Sequence, residues 1–187
     1  MEKKNEKIVY QGKMIEIIHE TVFSNGREIT LEKGCRAPGV RLIIETKDGQ
    51  ILITKEERPT IGLDYRLPGG KVFDSLVEYN EFLSQKSSTE FSEEIRKGAI
   101  KESMEEAGIR PTDMELFSIS HCGGSFDWDL YYFVVKSYAE VEQSPEEHEK
   151  IEVIKISREK LKELALAGEM KEDRSVAVII KYLHQQE

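Results

Sequence analysis

The chain is poor in the residues that staple or span: 187 residues hold two cysteines, one tryptophan and five prolines. Cys35 and Cys122 lie far apart and match no zinc-ligand spacing, which excludes a disulfide framework and reads as two unpaired thiols in a reducing compartment. Nothing approaches the run of about 18 apolar residues that crosses a membrane. Basic charge is also short, 27 Lys and Arg against 36 Asp and Glu, a formal net charge of −9. That balance argues against nucleic acid and anionic membranes as partners, since both need basic surface. A phosphorylated substrate would need local help from metal or arginine. The start, Met1 to Lys7, is charged and has no apolar core of a signal peptide, so the chain is expected in the cytoplasm. There is no internal repeat and no low-complexity tract.

What is present fits one domain with a small appendage: 39% hydrophobic and 34% charged residues are enough for a real core. Ile8 to Gln11, Met14 to Phe23 and Glu28 to Glu32 read as strands of a small antiparallel sheet, with Asn25-Gly26 as a tight hairpin turn. Such a sheet must pack on the main body or on a partner chain. After Ala37-Pro38-Gly39, Val40 to Thr46 and Gln50 to Lys55 read as strands of a mixed core sheet, and Glu56 to Asp64 as a loop. Leu67-Pro68-Gly69-Gly70 then lets backbone approach either a ligand or a tight bend. A short helix is expected over Asp74 to Gln85. A second, N-capped by Ser92, runs to Ala107 with Ile95, Ala99, Ile100, Met104 and Ala107 as its buried face. Strands follow at Met114 to Cys122, Trp128 to Lys136 and Ile151 to Ile156. An acidic loop, Glu140 to Lys150, precedes the last, and two helices, Ser157 to Ala167 and Asp173 to His184, close the chain.

The end of the second helix carries the chemistry. Glu102, Glu105 and Glu106 fall at i, i+3 and i+4, so their carboxylates share one face within about 5–6 Å. Like charges so close gain nothing unless a cation neutralises them, and hard divalent cations such as Mg²⁺ take oxygen ligands. An ordinary solvated acidic face, pointing away from the apolar side, fits the spacing equally well. Arg58 and Arg66 have the guanidinium fork suited to phosphate, or to a surface salt bridge. Tyr10, Phe23, Phe126 and Trp128 suit base stacking or core packing.

From Gly70 onward the chain resembles the Nudix hydrolases. Their signature is glycine, five residues, glutamate, seven residues, then Arg-Glu-apolar-any-Glu-Glu-any-Gly-apolar. Glu93 precedes Lys101 by seven intervening residues, and Glu102, Glu105, Glu106, Gly108 and Ile109 fall in register. Three departures stand out. Lys101 replaces the arginine and loses its bidentate fork. Ser103 replaces an apolar residue. Between Gly70 and Glu93 lie 22 residues, 71 to 92, where the motif has five, an excess of 17 that includes the first helix. The N-terminal strands, the stretch Glu147 to Val153 and the ending from Gly168 look similar to the branch that hydrolyses ADP-ribose and other nucleoside diphosphate sugars.

The resemblance implies an α+β fold, a Nudix α/β/α sandwich around a central mixed sheet, over residues 38–187 with an insertion at about 73–90. A β-strand module, residues 1–37, precedes it and commonly exchanges across a homodimer. It implies Mg²⁺, with Mn²⁺ as a substitute, held by Glu102, Glu105, Glu106 and the Gly69 carbonyl, with Glu93 and Lys101 orienting the helix. Glu102 would thus serve catalysis, and the base would be Glu147, or Glu149. Arg58 and Arg66 would meet the substrate's phosphates. The implied reaction splits a nucleoside diphosphate sugar, such as ADP-ribose, into a nucleoside monophosphate and a sugar phosphate. Another nucleotide substrate, a dinucleoside polyphosphate or a triphosphate, and a catalytically silent nucleotide sensor are the alternatives.

Overall fold

A computed structural model describes residues 5–145 and 150–186. Strands β1 (Asn5–Gln11), β2 (Ile15–Ser24) and β3 (Arg27–Arg36) form an antiparallel meander. Ser24 pairs with Arg27 across a two-residue turn in which Asn25 (φ 52°) and Gly26 (φ 74°) both take positive φ, as a type I′ hairpin requires.

The central sheet begins with β4 (Gly39–Glu45) and β5 (Ile51–Arg58), antiparallel around the Lys47-Asp48-Gly49 turn. The two strands pair only through Leu52. Beyond it β5 takes a new partner, β6 (Gly62–Arg66), so the expected loop over Glu56 to Asp64 is instead a hairpin. The edge of β4 that β5 leaves is filled by the glycine loop: Val40 N–H donates to the Gly70 carbonyl and Leu42 N–H to that of Pro68, both at 2.9 Å. Helices α1 (Leu76–Gln85) and α2 (Ser88–Ala107) follow. The N-cap of α2 is Ser87, in a capping box with Glu90, and not Ser92, whose hydroxyl bonds the Ser88 carbonyl inside the helix. Gly108, in the left-handed region at φ 63°, ends it.

Strand β7 (Ile109–Ser120) starts five residues before the expected Met114 and contains Pro111, tolerable because β7 is the sheet's edge. The unexpected short β8 (Phe126–Asp127) runs parallel onto β3, tying the N-terminal sheet to the body. Strands β9 (Leu130–Glu140) and β10 (Ile151–Ile156) complete the order β10-β5-β4-β9-β7, and α3 (Arg158–Leu166) and α4 (Asp173–His184) end the chain. Alternation along β4 divides the core. Val40, Leu42 and Ile44 pack against Ile95 and Ala99 of α2, while Ile43 packs with Leu161 of α3 and with Val178, Ile179 and Tyr182 of α4. This is the α/β/α sandwich around a mixed sheet, with the antiparallel module attached. No helix among the described residues is long and apolar enough to cross a membrane.

Candidate active site

The acidic end of α2 does not point away from the sheet. Glu102 and Glu106 are 6% and 8% exposed and share the buried face with Ile95, Ala99 and Ser103. Two glycines make this possible. Gly69, at φ 142°, lies so close to β4 that a Cβ would strike the Val40 carbonyl, and its N–H donates to Glu106 Oε2 at 2.6 Å. At Gly70 a Cβ would stand 2.6 Å from a Glu102 carboxylate oxygen. The close approach expected of the double glycine is therefore to β4 and to the acidic helix. Ser103 is wholly buried and donates to the Ile100 carbonyl at 2.7 Å, which satisfies the hydroxyl that replaces the usual apolar side chain.

Burial is the largest influence on Glu106, and with Glu102 and Glu56 it pushes the carboxyl up to about 8, against the Gly69 N–H and Arg41. An all-oxygen site in which the Glu106 carboxyl resists ionisation this strongly fits a hard cation, which would supply the missing positive charge. Glu105 has turned to Lys101 at 3.5 Å, and among the described residues no three potential ligand groups already converge on one point. The donors thus suit a divalent cation, and completing the set requires the Glu105 carboxylate to join those of Glu102 and Glu106.

A cleft of about 300 Å³ brings these carboxylates together with Gly69, Gly70, Arg36, Arg41, Arg58 and Arg66. Arg58 donates to Glu56 at 2.7 Å and stays partly exposed, while Glu56 also accepts from Thr54. Arg66 is held by Asp64 at 3.7 Å and by Glu172 at 3.5 Å. Arg41 is the deepest. It makes two 2.8 Å bonds to Glu172, a fork-on-carboxylate geometry. Burial alone would raise Glu172, but Arg41, the Ser175 hydroxyl and Arg66 outweigh it and hold the carboxylate down to about 2. Two guanidinium groups stand over the Trp128 ring, Arg36 at 4.5 Å and Arg174 at 5.0 Å from its centroid.

The expected substrate arginines, Arg58 and Arg66, therefore do line the cleft, each already engaged by a carboxylate. Lys101 and Glu93 are not a pair: Lys101 meets Glu105, and Glu93 is exposed two helical turns earlier, about 12 Å along the axis. Glu147 and Glu149 lie outside the described residues. The chain just before them is anchored to α2, with Ser144 N–H on the Glu105 carbonyl and the Gln143 amide on that of Glu106. Of the aromatics, Trp128 lines the cleft, Phe126 covers Gly34, and Tyr10 and Phe23 are exposed on the N-terminal sheet. Arg36, Arg41, Glu56 and Glu172 were missed. Arg41 had a signal, a lone charge inside the apolar run Val40 to Ile44, which a buried strand tolerates only with a partner.

A family model of the NUDIX domain matches residues 36–177. Among solved structures, the chain is similar to the crystal structure of an ADP compounds hydrolase, with a TM-score of 0.72 and 16% identity, covering 97% of this chain and 90% of that one. At this identity the likeness speaks for the fold. No curated protein matches.

Proposed function

Because this chain belongs to the Nudix family, we propose that it is a Mg²⁺-dependent hydrolase of nucleoside diphosphate sugars, a class that includes ADP-ribose. Its products are a nucleoside monophosphate and a sugar phosphate. The observation that carries the reading is the cleft itself, where three carboxylates of one helix and a glycine loop face four arginines. Glu102, Glu105, Glu106 and the Gly69 carbonyl would hold the cation, which supplies Lewis acidity where charge develops on the diphosphate, and Mn²⁺ would substitute. Arg58 and Arg66 take the phosphate oxygens, exchanging a carboxylate partner for a phosphate one. Arg41 works through Glu172, fixing β4 and the start of α4 beneath the site. A water attacks phosphorus, and Glu147, with Glu149 the alternative, removes its proton. Lys101 would hold Glu105 at the rim, while Glu93, two helical turns earlier, touches neither of them. That same Lys101–Glu105 pair favours a second reading, a nucleotide sensor that does not turn its ligand over.

Purified protein incubated with nucleotide sugars, dinucleoside polyphosphates and nucleoside triphosphates, with Mg²⁺ and with chelator, separates these readings when products are identified by mass. Sugar nucleotides are expected to yield two monophosphates only with Mg²⁺. Turnover of triphosphates or dinucleoside polyphosphates alone sinks the sugar reading, and binding without turnover supports the sensor. Glu147→Gln and Glu149→Gln, tested singly, identify the base.

A further inference from the structure

The cleft shares a wall with a second, larger cavity. This one, of about 700 Å³, lies between the N-terminal sheet, α1 and the start of β9, a volume suited to a small-molecule site. Arg36, Pro38 and Trp128 line both, so the two are neighbouring compartments of one depression. Their chemistry differs. The cleft gathers arginines, whereas the cavity presents hydrogen-bond acceptors, Glu16, Asp127 and Asp129 among them. Its lysine, Lys33, is ion-paired with Asp127. Phosphate is disfavoured in such a place. Aromatic walls from Tyr79, Phe91 and Tyr131 suit a flat, neutral ring instead.

Glu16 gives the cavity its direction. Strand β2 alternates so that Glu16, Ile18 and Glu20 turn inward, and Glu16 is left 7% exposed. Its Oε2 is buried without a hydrogen-bond partner among the described residues. A buried acceptor without a donor is costly, and a turn of the Glu16 side chain toward a cavity ligand that brings an N–H would relieve it. The opposite wall is α1, contributing Tyr79, Asn80 and Leu83. That helix belongs to the residues in excess of the family motif, so the compartment is this chain's own construction.

We propose that this cavity receives the base of the substrate nucleotide and that Glu16 accepts hydrogen bonds from its edge, favouring guanine. Guanine's ring N–H and adjacent amino group offer two parallel donors to one carboxylate, which neither adenine nor uracil does. The inference rests on the nucleotide-hydrolase reading above and names its base specificity.

The test is isothermal titration of GMP, IMP, AMP and UMP without divalent cation, with steady-state kinetics on the corresponding diphosphate sugars. The wild type is compared with Glu16→Gln and with Asn80→Trp, an exposed helix position whose larger side chain fills the cavity. GMP is expected to bind at least tenfold tighter than UMP or AMP, with IMP between. Glu16→Gln should erase that preference and raise KM for the guanine substrate tenfold or more with kcat within twofold, and Asn80→Trp should weaken all four ligands. Equal affinities unmoved by both variants, or a preference for another base, overturn the inference. If turnover is found while base preference ignores both variants, this inference fails and the hydrolase reading stands. If Glu16-dependent GMP binding is found without turnover of any substrate, the hydrolase reading fails and the cavity assignment stands.

Discussion

Gly70 sets how near the acidic helix comes to the loop beneath it. A methyl group there would sit 2.6 Å from the Glu102 carboxylate, so Gly70→Ala must displace that carboxylate while leaving the backbone free to keep its fold. Misplacement of a catalytic group by about 1 Å costs roughly 10²-fold in rate, and a loss of that order in kcat with little change in melting temperature is expected. Glu106→Gln should remove most activity without unfolding the protein; near-normal turnover would show that the metal assignment is wrong. Glu172 acts on stability instead. Its folded value of about 2 lies below the unfolded 4.5, so its stabilisation is present above about pH 4.5 and is lost as pH falls toward 2. Such a shift corresponds to roughly 3 kcal/mol. Glu172→Gln leaves the Arg41 guanidinium buried without its counter-charge and is expected to cost about 3–5 kcal/mol at pH 7. Urea denaturation should show the gap from wild type closing between about pH 4.5 and 2, and a gap independent of pH would refute the ion-pair account.

At the scale of elements, α2 is positioned from both ends, by its capping box and by the Gly108 C-cap. Ser87→Ala removes the hydroxyl that accepts the Glu90 N–H, and about 1 kcal/mol of stability should go with it. That cap was legible, since Ser87 and Glu90 are spaced as a capping box requires; Ser92 competed because Glu93 and Glu94 follow it. The strands of the central sheet were legible from their apolar runs, and the first hairpin from Asn25-Gly26. The orientation of the acidic face was not. Periodicity assigns carboxylates to solvent, and Glu106 is buried only because Gly69, distant in sequence, donates a backbone N–H to it. Strand β6 was illegible for a similar reason: Gly62 to Arg66 is five residues long and buries Asp64 while exposing Leu63, the reverse of its apolar pattern, and its pairing exists because β4 and β5 diverge after Leu52. What sequence pattern conveys well is local and periodic, and the site was assembled by contacts that are neither.

In the whole molecule, the N-terminal hairpin reaches past the body it is tied to. Parallel β8 and the 2.9 Å bond from Leu76 N–H to the Lys13 carbonyl hold its near end. Toward the Asn25-Gly26 tip large apolar side chains stand in solvent on both faces, Phe23 at 76% exposure on one, Ile29 and Leu31 at 41% and 46% on the other. An apolar patch of this kind marks an interaction surface, and a hairpin bare on both faces suits insertion against a second copy rather than flat docking on one side. We therefore expect a homodimer in which this sheet is exchanged or covered. Each of these side chains would contribute on the order of 2 kcal/mol on burial. Light scattering across a dilution series should show a mass near twice 21.5 kDa that falls toward 21.5 kDa as the protein is diluted. Phe23→Glu with Leu31→Lys should shift that transition to at least tenfold higher concentration, because both substitutions place charge on the buried patch and neither touches the central core. A wild type that stays monomeric at every concentration excludes the dimer. It would also mean that Glu16 and the cavity behind β2 are completed by this chain alone.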